Sequence, residues 1–110
     1  MGTGNQEFLK GTLDMLILQT LSRGPNHGYG IALHIRRLSQ DAFKVGEGSL
    51  YPALQRLLVN GWVRAEWGVT DTGRKARTYR ITPAGRKQLA EEVRNFDFLL
   101  ANIARVMEGA

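Results

Sequence analysis

The sequence predicts a mainly α-helical domain that carries one small β-hairpin. Apolar residues recur every three or four positions in four segments, which is the spacing of a helix face. Between the third and fourth segments, two runs alternate apolar and polar residues around a loop rich in glycine and threonine, a pattern typical of an antiparallel hairpin. The chain of 110 residues is long enough for one domain with a modest core.

The first predicted helix spans residues 8–22 and follows residues 1–7, whose small polar side chains predict a flexible N-terminal tail. Gly24-Pro25 ends this helix, because glycine favours the C-cap and proline cannot continue a helix. The second predicted helix covers residues 27–39 behind an Asn26 N-cap. The glycines at positions 28 and 30 lower its helix propensity, so we expect them to permit close packing of a neighbouring helix.

A connector follows, in which residues 43–45 are predicted to form a short strand. The third predicted helix spans residues 49–59, with leucines on its buried side. Pro52 places the start of this helix near residue 48 or 49, because proline is tolerated in the first turn but removes a hydrogen bond further inside.

The hairpin is predicted from strands at residues 62–67 and 76–81, which a loop at residues 68–73 joins. Thr82-Pro83 combines an N-cap residue with a proline at the first helical position, which starts a last helix that ends at about residue 107.

Three helices, a hairpin and a further helix are the element order of a winged helix-turn-helix domain. In that fold the third helix enters the DNA major groove, and the hairpin, called the wing, contacts the backbone or the minor groove. We therefore expect a DNA-binding domain over residues 8–82 and a C-terminal dimerisation helix over residues 83–110.

The chain is basic, with a formal net charge of +5 and a pI of about 10.1. Six basic residues and no acid lie between Thr72 and Ala90, and these are Arg74, Lys75, Arg77, Arg80, Arg86 and Lys87. A cluster of this kind binds DNA phosphates and releases counterions. A solvated loop with a chance run of charge is the alternative. The position on a predicted wing favours DNA contact, which we expect from Arg74, Lys75 and Arg77.

The third helix and its approach carry polar side chains that the core does not need. These candidate DNA contacts are Lys44, Ser49, Tyr51, Gln55 and Arg56, whose donors suit base edges and phosphates. Tyr51 leaves two alternatives open, a hydrogen bond to a phosphate or packing of its ring against the second helix. The free N–H groups at the start of the second helix also suit a phosphate, so His27 and Tyr29 are further candidates.

The last helix predicts self-association. Apolar residues follow a heptad seam with alternating spacings of four and three, at Leu89, Val93, Phe96, Leu100, Ile103 and Met107. The alternative is a helix that faces the core of its own chain, but a helix of this length overhangs a domain this small. We therefore expect a homodimer, whose interface the first helix completes.

Several kinds of chemistry are excluded by what the sequence lacks. There is no cysteine for a disulfide, a thiolate zinc site or a nucleophile. His27 and His34 lie about two helical turns apart, too far to share a metal. With no carboxylate pair or Ser-His-Asp set suggested, we predict no enzyme activity, no metal and no cofactor. The N-terminus shows no signal peptide and the longest apolar run is far too short to span a bilayer, so we expect a cytoplasmic protein.

Four motifs resemble those of the PadR family of transcriptional regulators. They are Gly28-Tyr29-Gly30-Ile31 in the second helix, Gly48-Ser49-Leu50-Tyr51-Pro52-Ala53-Leu54-Gln55-Arg56-Leu57 in the third, Trp67-Gly68 in the wing, and Tyr79-Arg80-Ile81-Thr82-Pro83-Ala84-Gly85 before the last helix. The resemblance covers residues 8–107. It implies a dimeric winged-helix repressor that binds palindromic operators, in the compact branch of the family without an added sensor domain.

The resemblance also implies an effector site, because some relatives sense small aromatic compounds between the last helices and the first helix. The matching residues are Met15, Gln19, Val93, Phe96 and Leu100. Two residues depart from the family pattern: Leu58 stands where an acid is common, and Phe96 stands where tryptophan is frequent, which weakens stacking on a ligand.

The expected partners are therefore double-stranded DNA, a second copy of the chain and a small aromatic ligand, with no membrane. A winged-helix module whose basic face binds an acidic protein, without sequence-specific DNA binding, is the alternative function.

Overall fold

The computed structural model describes the backbone of residues 2–109 and the side chains of residues 12–109. The elements along this part of the chain are α1 (Gly2–Ser22), β1 (Asn26–His27), α2 (Gly28–Leu38), α3 (Glu47–Val59), β2 (Val63–Val69), β3 (Lys75–Ile81) and α4 (Pro83–Glu108). The strands form one antiparallel sheet in the order β1-β3-β2. The predicted fold, mainly helical with a hairpin between the third and last helices, is confirmed.

One hydrophobic core lies between α1, α2, α3 and the sheet. Its fully buried large side chains are Ile17, Leu18, Leu21, Ile31, Leu54 and Leu57. Full burial of one such side chain contributes about 1.5–3 kcal/mol, so these helical stripes hold the three helices together. Val63, Tyr79 and Ile81 close the core from the sheet, which fixes the position at which the wing leaves the domain.

The helix α1 begins at Gly2, earlier than the predicted start at residue 8, and so extends into the segment for which the sequence predicts a tail. No proline interrupts this segment, and extending an existing helix needs no second nucleation step. Leu9 continues the apolar spacing of this helix in the sequence, but its side chain lies outside the described residues.

The start of α2 differs from the prediction in its cap. His27 is the N-cap, because its Nδ1 accepts a hydrogen bond from the Gly30 N–H at 3.1 Å. Asn26, the predicted cap, accepts instead from the His27 N–H. Residues 26–27 also pair with β3 as a third strand, which the sequence does not reveal because two residues are too few to show an alternating pattern.

The connector between α2 and α3 contains no strand at residues 43–45, so the strand predicted there is wrong. The apolar side chains of Phe43 and Val45 pack against the core. The connector buries these two side chains without forming a strand, and their burial explains the alternation of apolar and polar residues that predicts a strand in the sequence.

The helix α3 begins at Glu47 behind Gly46, two residues before the predicted start at residue 49. Pro52 consequently lies inside the helix and not in its first turn, which corrects the prediction made from it. The missing N–H of Pro52 leaves the Gly48 carbonyl without its helical donor. Gly48 is exposed, so water can hydrate this carbonyl and reduce the cost of the proline.

The wing is longer than the sequence predicts. The strands β2 and β3 pair without interruption from Val63 opposite Ile81 to Val69 opposite Lys75. Its tight turn is closed by a hydrogen bond from the Thr70 N–H to the Arg74 carbonyl at 2.8 Å. The wing therefore projects beyond the core, which ends at Tyr79 on β3.

The helix α4 starts as predicted. Thr82 Oγ1 accepts a hydrogen bond from the Gly85 N–H at 3.0 Å and donates one to the Gly61 carbonyl at 2.7 Å. Gly85 is buried where an added Cβ would overlap the Trp62 carbonyl, so this start packs closely on the sheet. With 26 residues, α4 is about 39 Å long, and the described chain measures 59 × 32 × 21 Å. Much of α4 therefore extends past the core.

Candidate DNA-binding surface

The helix α3 contacts the start of α2, and the residues just before α2 pair with the wing, so the three elements that carry predicted DNA contacts adjoin one another. The Tyr51 ring lies against the start of α2, where a Cβ on Gly28 would be 3.1 Å from Tyr51 Oη. The preceding residue, His27, pairs with Thr78 of the wing. We use the name α3–wing surface for Lys44, Ser49, Tyr51, Gln55, His27, Tyr29, Arg74, Lys75 and Arg77.

On α3, Tyr51 and Gln55 are exposed and Ser49 is half-buried. Of the two alternatives for Tyr51, packing against α2 is present in the structure, and 47 % of the residue remains exposed. Lys44 is exposed and lines a groove of about 360 Å³ between α2 and α3, together with Tyr29 and Tyr51. This groove lies at the N-terminal end of α3, which in a winged helix approaches the bases.

Arg56 has a partner inside the protein. Its Nη2 lies 2.8 Å from Asp14 Oδ1 and its Nε lies 3.4 Å from Oδ2, so the guanidinium and the carboxylate pair side by side. The hydrogen bond that Arg56 donates to Asp14 raises the pKa of Arg56 above its ordinary, strongly basic value, although burial opposes this shift. Arg56 therefore bridges α3 to α1, and part of its hydrogen-bonding capacity is used inside the protein.

At the start of α2, the N-cap hydrogen bond determines which ring nitrogen of His27 can donate to a partner outside the protein. Its Nδ1 accepts from the Gly30 N–H, so the neutral imidazole carries its proton on Nε2 and can donate to an outside acceptor. His27 and Tyr29 are both exposed. Gly28 and Tyr29 occupy the first two helical positions, whose N–H groups have no acceptor within the helix.

The wing carries Arg74 and Lys75 exposed near its tip. Arg77 is half-buried, and its guanidinium carbon lies 5.8 Å from the centroid of the Trp67 ring and 5.7 Å from that of Tyr79. Trp67 is 68 % exposed and stands directly opposite Arg77 in the ladder. Sequence reasoning missed this contact because alternation gives the face of each residue but not the register of the two strands.

The run of basic residues divides between different faces of the molecule. Arg80 lies on the exposed outer face of the sheet, where its Nη2 is 3.4 Å from Glu66 Oε1. Arg86 and Lys87 are exposed in the first turns of α4. The predicted wing contacts on β3, Lys75 and Arg77, therefore lie on a different face of the sheet from Arg80, because successive residues of a strand point to opposite faces.

The apolar seam of α4 is exposed over most of its length, at Val93, Leu100, Ile103 and Met107. Leu89 is half-buried and packs against the core of its own chain. At this first seam residue, α4 therefore faces its own core, which is the alternative to self-association given above. Phe96 is also half-buried. Phe98, which lies off the seam, is 73 % exposed.

The residues matched to an effector site are spread over two helices in the single chain. Met15 is half-buried on α1, and Gln19 is exposed one turn later. Gln19 lines a groove of about 300 Å³ with residues of α2 and the connector, among them His34 and Phe43. The α4 residues Val93, Phe96 and Leu100 do not line this groove.

Among the described residues, no group of three potential metal ligands lies close together. No helix in the same part of the chain is long and apolar enough to cross a bilayer.

Comparisons with known proteins agree with this geometry. The sequence profile of the transcriptional regulator PadR-like family matches residues 17–91. The transcriptional regulator Rv3488 of Mycobacterium tuberculosis is 35 % identical over 98 residues, which cover 89 % of this chain and 88 % of the relative. A solved transcriptional regulator from Clostridium thermocellum superposes with a TM-score of 0.84 at 29 % identity, over 90 % of this chain and 96 % of its own. A PadR-like regulator from Bacillus cereus gives 0.79 at 26 % identity, over 94 % and 99 %.

Proposed function

Because this chain belongs to the transcriptional regulator PadR-like family and is therefore a DNA-binding regulator and not an enzyme, we propose that it is a homodimeric repressor of a palindromic operator. Its place of action is the cytoplasm, where bacterial DNA lies. Resemblance to the repressors of the family supports the sign of regulation. The dimer and the operator rest on the two surfaces described above.

The observation that carries the proposal is that Tyr51 of α3 packs against the start of α2, where His27 pairs with Thr78 of the wing. Ser49, Tyr51 and Gln55 present donors from α3 toward base edges, where specificity arises. Arg74 and Lys75 supply charge from the wing, where phosphate contacts fix position and affinity. Of the remaining members, His27 and Tyr29 lie at the start of α2, Lys44 lies in the connector and Arg77 lies in the wing. Arg56 is left out of the proposed contacts because Asp14 holds it.

The dimer rests on the seam of α4 from Val93 onward. A row of exposed apolar side chains at heptad spacing on a helix that leaves the core is stabilised when a second copy covers it. The two-fold symmetry of such a dimer would place two α3 helices in successive major grooves, and a palindromic operator matches that symmetry.

A small aromatic effector is the proposed releasing signal. Met15 and Gln19 lie on α1 and Val93, Phe96 and Leu100 on α4, so a ligand held by both helices at the dimer interface would change the spacing of the two α3 helices. A ligand that binds one spacing better shifts the population toward it and so releases DNA. Titration of aromatic compounds into the protein–DNA complex tests this part separately.

Selection of bound duplexes from a random library tests the function directly. We expect a palindrome whose half-sites lie about one helical turn apart, near 10 base pairs. Recovery of a single unpaired half-site would contradict the dimeric operator. Failure to enrich any sequence, even in dilute buffer, would reject specific DNA binding and favour the acidic-protein partner.

A further inference from the structure

The guanidinium of Arg77 packs on two aromatic rings of the wing and has no hydrogen-bond acceptor among the described residues. The rings of Trp67 and Tyr79 both lie within 6 Å of its guanidinium carbon, at 5.8 and 5.7 Å from their centroids, which is the range of a cation–π contact. Its Nε is buried, and no described residue accepts a hydrogen bond from this nitrogen. By contrast, Arg36, Arg56 and Arg80 each have a carboxylate partner.

The described residues leave the hydrogen-bond donors of the Arg77 guanidinium without acceptors. The π faces of two rings stabilise the positive charge, but they are weak acceptors for the guanidinium N–H groups. The buried Nε cannot be reached from outside, but the two Nη groups of Arg77, which also have no acceptor among the described residues, can donate to an oxygen of an anion. An anion with several acceptor oxygens would therefore complete the environment of Arg77.

The sheet places Arg77 beside the start of α2. The pairing of β1 with β3 runs from Asn26 opposite Tyr79 to His27 opposite Thr78. Gly28 and Arg77 come next in that register, and Gly28 is the first residue of α2. The N-terminus of a helix favours negative charge, so both the guanidinium and the helix favour an anion at this junction.

We propose that Trp67 and Tyr79 hold Arg77 ready to bind one backbone phosphate of the duplex at the junction between the wing and α2. This inference rests on the proposed DNA-binding function and deepens it. Trp67 is a positioning residue in this scheme, because it acts on DNA through the orientation of Arg77. Tyr79 is 4 % exposed and belongs to the core, whereas Trp67 can be changed at the surface.

Two features favour a phosphate over a base edge. Arg77 is half-buried and sits closer to the core than the exposed Arg74 and Lys75, so its reach is short, and phosphates lie on the outside of the duplex. The guanidinium fork also matches two phosphate oxygens. Because the rings already restrict the side chain, less rotamer freedom is lost when DNA binds.

The test measures affinity for the selected operator at several salt concentrations. Arg77→Met removes the charge but keeps a flexible side chain that packs on aromatic rings. We expect it to weaken binding by about tenfold and to reduce the slope of log K against log salt by about 0.9. Trp67→Leu should weaken binding by about threefold at an unchanged slope, because the charge remains while its positioning is lost. Thermal unfolding confirms that each variant is folded.

Coupling between the two residues separates positioning from general damage to the wing. Trp67→Leu should add no further loss to Arg77→Met, but it should retain its full effect beside the control Arg74→Met, whose side chain is exposed at the tip. In a protein with Trp62→Phe, the emission of Trp67 should change on DNA binding and should stop responding when Arg77→Met is added.

The outcomes separate the inference from the function it rests on. If the wild-type protein binds no duplex at low salt, the proposed function fails and the inference fails with it. If the wild type binds but Arg77→Met leaves affinity and slope unchanged, only the inference is overturned. It is also overturned if the Arg77→Met loss depends on the base pair under the wing, because that result marks base readout.

Discussion

At the scale of single residues, Gly28 controls where Tyr51 lies. A Cβ at position 28 would stand 3.1 Å from Tyr51 Oη, so the tyrosine must move by a few tenths of an ångström if the glycine is replaced. Tyr51 is about half exposed and is free to do so. The close packing that the sequence predicts at Gly28 is therefore packing against the side chain of Tyr51 from α3.

We predict that Gly28→Ala changes the free energy of unfolding by less than about 1 kcal/mol, since alanine's gain in helix propensity offsets the tight contact. Operator affinity should nevertheless fall, because the shift of Tyr51 changes the position at which its hydroxyl meets the DNA. Thermal unfolding and operator titration measure the two effects. In a Tyr51→Ala background the substitution should cost no further affinity, and an equal loss there would show that Gly28 acts through the backbone of α2.

The pair of Asp14 and Arg56 links α1 to α3. A double-mutant cycle with Asp14→Asn and Arg56→Gln should give a coupling of at most about 1 kcal/mol in the free energy of unfolding, because the Arg56 side chain is 42 % exposed and water screens the pair. Urea unfolding of the four proteins measures this coupling. A value indistinguishable from zero would mean that the contact does not hold α3 in place.

The pH dependence of this pair follows from the direction of the Arg56 shift. Its pKa is raised by the hydrogen bond to Asp14, so the stabilisation is fully present below the ordinary arginine pKa and is lost only above it. We therefore expect no change in the coupling between about pH 6 and 9. A coupling that falls across this range would assign the titration to another group.

At the scale of elements, the wing acts as a charged arm whose contribution depends on salt. We predict that Arg74→Ala with Lys75→Ala weakens binding to every duplex and reduces the salt slope by about 1.8 if each residue neutralises one phosphate. The matched control is Arg94→Ala with Arg105→Ala, which removes the same charge from exposed positions on α4. Equal losses of slope in both proteins would show that net charge, and not the wing, determines the effect.

The element boundaries show what periodicity predicts and where it fails. Four helices and a hairpin are present in the predicted order. The first three helices and the hairpin each bury apolar residues in the core, whereas α4 starts at the Thr82 cap and leaves most of its seam exposed. The strand β1 escapes prediction because two residues carry no periodic pattern. The start of α3 predicted from Pro52 is wrong because Gly48, whose carbonyl loses its helical donor to the proline, is exposed to water, which lowers the cost of a proline inside the helix.

The exposure of the candidate DNA contacts could be predicted, but their contacts within the protein could not. Most of the α3–wing residues are exposed as expected, since they are polar positions off the apolar stripes. Arg56 is different because Asp14 is 42 positions away in sequence, and spacing along one helix does not reveal such a partner. The stacking of Arg77 on Trp67 likewise depends on strand register, which the sequence does not give.

At the scale of the whole molecule, α1 lies between the two surfaces that the proposed function needs. It packs on α4, which carries the apolar seam, and is tied to α3 through the Asp14–Arg56 pair. A change in the spacing of two α4 helices would therefore reach α3 through one intervening helix. The order of layers, α4 then α1 then α3, gives the effector proposal a physical path.

The last prediction concerns the dimer itself. Ile103→Asp should produce monomers, because this seam residue is 48 % exposed in the single chain and would place a charge in the proposed interface. Ile103 serves this test better than the half-buried Phe96, whose replacement would also disturb its own chain. Phe98→Asp is the matched control, since Phe98 is the more exposed residue but lies off the seam.

Light scattering on the two purified variants gives the mass directly. Ile103→Asp should give the mass of one chain and Phe98→Asp that of two, with operator affinity lost only in the former because a single α3 helix contacts one half-site. The opposite pattern would move the interface to the face of α4 that carries Phe98. Two dimeric variants would show that α1 alone suffices for association, in which case the exposed seam would need another partner.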